Sequence, residues 1–189
     1  MRLTIGELNL YNREAFADRL GHIFEHSPWV AYDSWGNRPF ESVEQLLESM
    51  MHAVRSAPED KVTALLRAHP DLAARIQLTQ NSAREQQGAG LDRLTPGEFA
   101  TFTKLNREYT GKFGFPFILA VRGKTKEDIK NAMIERLAGT PEQERETALS
   151  QIRQIARLRL TDLVIDERIE EASAATGNCG HPDRNFDAR

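Results

Sequence analysis

The chain has 189 residues, 40% hydrophobic and 28% charged, which is enough for one domain with a sizeable core. Its 25 Lys and Arg against 28 Asp and Glu give a formal net charge of -3 without a basic run, so nucleic acid is not an expected partner. With one cysteine, no 18-residue apolar run and no signal-peptide pattern, the chain is expected to be cytoplasmic and to bind no membrane.

The first 57 residues predict two amphipathic helices separated by an ordered loop. Asn12 is a typical N-cap for the first, which ends near Ser27-Pro28 and has apolar residues at helical spacing: Phe16, Leu20, Ile23 and Phe24. Residues 27–40 hold both tryptophans without a helical period, so we expect a loop held by aromatic packing. Ser42 and Gln45 match a capping box for the second helix, whose apolar stripe is Val43, Leu46, Leu47, Met50, Met51 and Val54.

A third helix is predicted to begin at Pro58 and to end at His69, because proline at position 70 disfavours helical geometry in the residue before it. The negative end of the helix dipole favours a protonated imidazole, and the ordinary pKa of histidine already lies near neutrality. His69 is therefore the best acid or base candidate in the chain. The alternative is that a histidine before proline is only a helix C-cap.

A fourth helix is predicted to start at Ser82, where Glu85 completes a second capping box, and to weaken at Gly88 to Gly90. Glu85 therefore has a purely local interpretation as a cap beside any chemical one. A fifth helix opens at Thr95-Pro96, ends at Gly111 and Gly114, and turns four apolar residues inward: Phe99, Phe102, Leu105 and Tyr109.

The run FPFILAV, residues 115–121, contains a proline and has no second strand-like run to pair with. It predicts a buried extended segment. Overall we expect an all-α single domain, a bundle of about seven to nine helices over residues 1–168, with no significant β-sheet. Residues 169–189 lose the periodic pattern and predict a flexible tail, whose Cys179 and His181 are too few ligands for zinc.

Two further helices follow, one opened by Thr125 and Asp128 and a long final one capped by Thr140-Pro141 that reaches about Ile165. In the final helix Arg159 interrupts an apolar stripe, whereas Arg153 and Arg157 lie off it. An inward arginine needs an anionic partner. That partner is either a structural carboxylate or a substrate carboxylate held bidentately.

Several separated motifs together resemble one enzyme family. They are HPDLA from His69, Ser-x-x-Glu-Gln at 82–86 running into AGLD, LN-x-x-Y at 105–109 and KFGFPFI at 112–118. The chain is similar to the decarboxylases that act on 2-oxo-4-hydroxy-4-carboxy-5-ureidoimidazoline (OHCU), from SPW at residue 27 through IARLRL at residue 160. The resemblance implies an all-helical homodimer that converts OHCU to (S)-allantoin, the last step of urate oxidation, without metal or organic cofactor.

The resemblance also implies roles for individual residues. His69 and Glu85 fall on the catalytic positions, with Glu85 orienting the imidazole, and Arg159 falls on the substrate-binding arginine, for which Arg157 is the alternative. The remaining positions expected to bind substrate are Ser82, Gln86, Pro70 and the backbone of Phe117, Ile118 and Leu119.

Two other functions remain open from the sequence. A hydrolase of a related ureido acid would share an arginine and a histidine, but it would need an activated water. A helical interaction module without catalysis would not require His69 or Glu85, and both are present.

Overall fold

The computed structural model describes residues 2–73 and 79–166, and this part of the chain confirms the predicted all-α class. It contains nine α-helices, one 3₁₀ turn and two strands of two residues each. The helices are α1 Ile5–Leu10, α2 Arg13–Leu20, α3 Trp29–Ser34, α4 Val43–Ser56, α5 Glu59–Arg67, α6 Gln80–Gly88, α7 Pro96–Phe113, α8 Lys126–Arg136 and α9 Pro141–Leu163. The predicted tail, with Cys179 and His181, lies outside the described residues.

Local capping determines where most helices begin, as predicted. Asn12, Thr95, Thr125 and Thr140 each accept a hydrogen bond from the backbone N–H three residues on. At Ser42 the predicted box is only half present, because Gln45 accepts from the Glu41 N–H instead of the Ser42 N–H. The apolar stripe of α4 is buried at all six predicted positions, and α4 packs against α3 and α9.

The prediction was wrong between residues 21 and 40. The first long helix stops at Leu20, and Ile23 and Phe24 reach the core from the turns that follow it. The predicted loop contains α3 and the 3₁₀ turn Trp35–Asn37. Segments of six residues or fewer are too short to show a helical period, and α1 was missed for the same reason.

The segment at residues 115–121 is buried and belongs to no helix or strand, as predicted. Gly114 ends α7 with a φ of 78°, a left-handed conformation that suits glycine. The sequence did not predict the small parallel pairing of β1 (Leu3–Thr4) with β2 (Val164–Ile165), which joins the start of the fold to the end of α9. None of the described helices is long and apolar enough to cross a membrane.

Candidate active site

The nine residues singled out as site candidates all line one pocket. Its empty volume, with the open mouth included, is about 350 Å³. One wall carries polar side chains from the end of α5, from α6 and from α9, and the other is apolar. The apolar wall includes Leu72, Phe117, Ile118, Leu119, Val121 and Ile155.

His69 follows α5, where the prediction placed it, but its charge state differs from the prediction. The side chain is buried, with 8% of the residue exposed, and its Nδ1 donates to the Leu65 carbonyl at 2.9 Å. Burial, assisted by the positive charge of Arg159, lowers the pKa of His69 to about 4, although the carbonyl and Glu25 act in the opposite direction. Burial therefore outweighs the helix dipole, and the imidazole is neutral near pH 7 with its second nitrogen, Nε2, unprotonated.

Two amide side chains hold the turn that follows His69. Asn106 donates from Nδ2 to the Leu72 carbonyl at 2.7 Å, and Gln86 accepts the Ala73 N–H at 2.9 Å. Ala73 has a φ of 61°, so these bonds stabilise a backbone conformation that L-residues seldom adopt. Because the Gln86 oxygen is used in this way, its amide N–H groups are the part that it can offer to a ligand.

The start of α6 differs from the prediction and changes the interpretation of two residues. Thr79 is the N-cap, and its hydroxyl accepts the Ser82 N–H, so Ser82 lies inside the helix. Glu85 lies a further turn along and takes no part in capping. Both of its oxygens accept from Arg159, at 2.8 and 2.9 Å. The local interpretation of Glu85 as a cap was therefore wrong.

Arg159 points inward, as the apolar stripe predicted, and all five of its N–H donors have protein acceptors. Nε and Nη2 bind Glu85, while Nη1 binds the Ile23 carbonyl and Glu25, each at 3.1 Å. The remaining contact, from Nη2 to the Ser82 hydroxyl, is the longest at 3.4 Å. The anionic partners are thus structural carboxylates, and the predicted bidentate fork is already occupied by Glu85.

The structure also corrects the proposed orientation of the imidazole by Glu85. The bond that fixes the His69 ring comes from the Leu65 carbonyl, whereas the two Glu85 oxygens are directed at Arg159. A backbone acceptor at Nδ1 determines the tautomer of a neutral imidazole as firmly as a carboxylate does.

Glu25 is a functional candidate that the sequence prediction missed. Only 2% of the residue is exposed, and its carboxylate accepts from Thr79, Ser82 and Arg159. Burial raises its pKa, but the Thr79 hydrogen bond and the Arg159 guanidinium outweigh that effect, so the pKa lies below the ordinary value. The sequence signal that could have identified Glu25 is that this acid directly follows two core residues, Ile23 and Phe24.

The other two arginines of the final helix lie on the surface. Arg157 pairs with Glu44 at 3.0 Å, and 57% of its side chain is exposed. Arg153 contacts Glu44 and Glu48. Neither lines the pocket. The stripe argument therefore separated the pocket arginine from its neighbours correctly.

A second arginine cluster, largely buried, supports the apolar wall of the pocket. Arg136 binds Glu144 through Nε and Nη2, and Tyr109 donates its hydroxyl to the same carboxylate. The Nη1 of Arg136 donates to the Ile118 carbonyl at 2.8 Å, and its guanidinium lies 4.4 Å from the centre of the Phe117 ring. The tyrosine of LN-x-x-Y and the KFGFPFI segment are thus parts of one supporting network.

Comparison with known proteins identifies relatives over most of the chain. Residues 9–161 match the family described as OHCU decarboxylase. The 2-oxo-4-hydroxy-4-carboxy-5-ureidoimidazoline decarboxylase of Halalkalicoccus jeotgali is 44% identical over 87% of this chain and 93% of the relative. The uric acid degradation bifunctional protein of Bacillus subtilis is 42% identical over 87% of this chain and 33% of the longer relative.

A solved structure shares the fold. The crystal structure of (S)-allantoin synthase superposes with a TM-score of 0.68 at 34% sequence identity. The match covers 86% of this chain and 54% of that one, so this chain spans about half the length of that protein.

Proposed function

The chain belongs to the OHCU decarboxylase family, and we propose that its reaction, the loss of carbon dioxide from OHCU, takes place in the pocket lined by His69, Glu85 and Arg159. The enzyme is a carboxy-lyase of urate degradation. The observation that carries the assignment of the site is that every residue implied by the family resemblance lines this one pocket, although the residues lie on separate parts of the chain.

The substrate can accept the electrons that the departing carbon dioxide leaves behind. Carbon 4 of OHCU carries both the carboxylate and the hydroxyl, and it adjoins a C=N bond conjugated with the ureido group. When the bond from carbon 4 to the carboxylate breaks, its electron pair forms a C4–C5 double bond, and the ring nitrogen takes up from the solvent the one proton that the overall reaction consumes. The resulting enol becomes allantoin when the hydroxyl proton leaves and carbon 5 gains one.

We assign these last two proton movements to His69. Its neutral imidazole has Nδ1 bound to the Leu65 carbonyl, so Nε2 carries the lone pair that can accept the hydroxyl proton. The imidazolium formed in this way can then donate a proton to one face of carbon 5, which would give a single enantiomer. The low pKa of His69 in the free enzyme supports base action first, an order that the sequence left open.

The polar groups of the pocket fit the ureido and ring amides of the substrate. Gln86 offers N–H donors, and Glu85 can accept a ligand N–H because each carboxylate oxygen has more than one acceptor site. Arg159 offers one donor, the Nη2 hydrogen whose 3.4 Å contact with Ser82 is the weakest of the five. We therefore propose that Arg159 binds the substrate through a single hydrogen bond and not through a bidentate contact with the substrate carboxylate.

The backbone at Phe117 to Leu119 completes the proposed binding surface. Within this stretch the Ile118 carbonyl accepts a hydrogen bond from Arg136. Just beyond it, the Ala120 N–H donates to Gln151 at 3.0 Å. These two anchors fix the main chain on both sides of Leu119, and we propose the Leu119 N–H as the donor for a ligand carbonyl.

The test is to add the purified protein to freshly generated OHCU and to follow the optical activity of the allantoin formed. Spontaneous decay gives a racemate, so accumulation of the S enantiomer supports the proposal. Racemic allantoin at the uncatalysed rate would refute it, and release of ammonia or urea would indicate a ureido-acid hydrolase instead.

We further propose, from the family resemblance, that the protein is a cytoplasmic homodimer. Sedimentation equilibrium at several protein concentrations tests the dimer, which a single species at the mass of one chain would contradict. Cell fractionation tests the location.

A further inference from the structure

We propose that Glu25 is a positioning residue of this enzyme, one that fixes Ser82 and Arg159 in the pocket without touching the substrate itself. The inference rests on the proposed function, because its importance depends on those two side chains binding the substrate. Glu25 does not line the substrate pocket, and its carboxylate lies behind the two residues that do.

The contacts of Glu25 join three separate parts of the chain. Its Oε2 accepts from the Ser82 hydroxyl at 3.0 Å and from Arg159 Nη1 at 3.1 Å, and its Oε1 accepts from the Thr79 hydroxyl at 2.6 Å. Thr79 caps α6, Ser82 lies in its first turn, and Arg159 lies on α9. One buried carboxylate thus holds the polar wall of the pocket together.

The bond from Ser82 determines what the pocket presents to a ligand. A serine hydroxyl has one proton, and Ser82 gives this proton to Glu25, so its oxygen acts only as an acceptor, toward Thr79, Arg159 and any ligand N–H that displaces one of them. An oxygen of this kind accepts a hydrogen bond from a ureido or ring N–H. If the acceptor behind it were lost, the hydroxyl could rotate and donate into the pocket, which would favour a different chemical group in the ligand.

The bond from Arg159 explains why the cluster contains two carboxylates. Glu85 alone balances the charge of the guanidinium, and a second buried carboxylate adds a desolvation cost. Glu85 binds Nε and Nη2 of Arg159 but does not contact Nη1. Glu25 and the Ile23 carbonyl together accept the two hydrogen bonds from Nη1. With both edges bound, the plane of the guanidinium has a single orientation.

The test compares Glu25→Gln with the wild type in the full-length protein. The amide keeps the shape of the side chain but removes its charge and places an N–H donor at one of the two oxygen positions, so the bonds from Thr79, Ser82 and Arg159 cannot all be kept. We expect kcat/KM to fall roughly 10- to 100-fold, since a displacement of about 1 Å near the reaction can cost about 10²-fold. The dissociation constant for (S)-allantoin should rise as well.

Three additional measurements separate positioning from a merely structural role. The double variant with Glu25→Gln and Ser82→Ala should lose less kcat/KM than the product of the two single-variant losses, because the two residues act through one hydrogen bond. The side-chain N–H signals of Arg159 should exchange with water faster in the variant, which can be followed by NMR without substrate. Glu98→Gln, which removes a half-exposed carboxylate that pairs with Lys126 away from the pocket, should leave kcat/KM unchanged.

A kcat/KM within about twofold of the wild type, with only the thermal midpoint lowered, would overturn the inference, as would losses that multiply in the double variant. If Glu25→Gln does not fold, Glu25→Asp serves, because it keeps the charge but draws the carboxylate back by one methylene. Failure of the proposed function is distinct, since the wild type would then give racemic allantoin. The exchange of the Arg159 N–H signals still tests the positioning in that case.

Discussion

Two largely buried arginine clusters in residues 2–73 and 79–166 are built from similar parts but differ in charge balance. Arg136 has one carboxylate, Glu144, and a tyrosine hydroxyl donates to the same acid. Arg159 has two carboxylates, Glu25 and Glu85, and a serine hydroxyl. The first cluster is neutral and lies behind the apolar wall of the pocket, whereas the second has a surplus negative charge and forms the polar wall.

On the proposed site, the first cluster serves the fold and the second serves the reaction. A balanced buried pair can be maintained by packing alone, and Arg136 has one more structural task in binding the Ile118 carbonyl. A surplus buried charge costs free energy and is kept where it has a function. The pocket cluster also lies beside His69, on whose pKa both Arg159 and Glu25 act.

The largest expected effect comes from His69, the titratable group beside the unbalanced cluster. His69→Asn should lower kcat by at least about 10²-fold, because acid and base assistance contributes about 10²- to 10⁴-fold. The helical circular dichroism should change little, since the residue follows α5 without supporting its core stripe. Near-normal turnover in this variant would leave His69 with only a structural role after the C-cap Ala68.

The same substitution in each cluster sharpens the comparison directly. Glu85→Gln should lower kcat/KM about 10²-fold through misplacement of the pocket groups, with little loss of stability because Arg159 keeps Glu25. Glu144→Gln should lower the free energy of unfolding by about 2–3 kcal/mol, because Arg136 then has no carboxylate in this cluster. The measurements are urea unfolding and steady-state kinetics on both variants. The reverse pattern would mean that the charge imbalance has no functional meaning.

Arginine geometry gives a smaller but more local test. Arg159→Lys keeps the charge but can satisfy fewer of the five acceptors, so we expect affinity for (S)-allantoin to fall about tenfold and the thermal midpoint to fall as well. Arg157→Lys is the matched control, because that side chain is exposed and pairs with Glu44 at the surface. Its affinity and midpoint should stay close to those of the wild type. Loss of binding in Arg157→Lys alone would overturn the assignment.

The most gradual expected effect is a pH dependence of stability. The pKa of His69 in the folded protein is about 4, below the ordinary value of about 6.5, so the unfolded chain binds more protons between these two values. The free energy of unfolding should therefore fall as pH is lowered through that window, by up to about 1.4 kcal/mol per pH unit. His69→Asn should remove this slope. Identical pH profiles of unfolding for the two proteins would show that the imidazole is not buried in its neutral form.

Local patterns were sufficient to predict most of the fold. Thr95, Thr125 and Thr140 start their helices through bonds to residues three positions away, so the information lies within one turn. Arg159 was found in the same way, because helical periodicity alone shows which face it occupies. Helix α6 was misplaced because Thr79 and Ser82 are both suitable caps, and only the tertiary structure selects between them.

The features that the sequence did not predict depend on contacts that are distant along the chain. Glu25 contacts Thr79, which is 54 residues away in the sequence, and Arg159, which is 134 residues away. No rule based on sequence spacing applies over such distances. The neutral state of His69 depends on burial by the whole core, whereas the helix dipole that suggested a protonated ring is a local effect. Local rules thus placed the right side chains but not their charges.

The pairing of β1 with β2 has a consequence for the order in which the protein becomes active. Together with the contact from Arg2 to Thr161, a separation of 159 residues, it joins the first part of the fold to the last. A ribosome adds about 5–20 residues per second, so roughly ten to thirty seconds separate the synthesis of these two ends. The early helices can form during that time, but the helix with Arg159 is among the last to emerge. Because α9 also supplies core residues, a nascent chain completes its core and its pocket at the same late stage of synthesis.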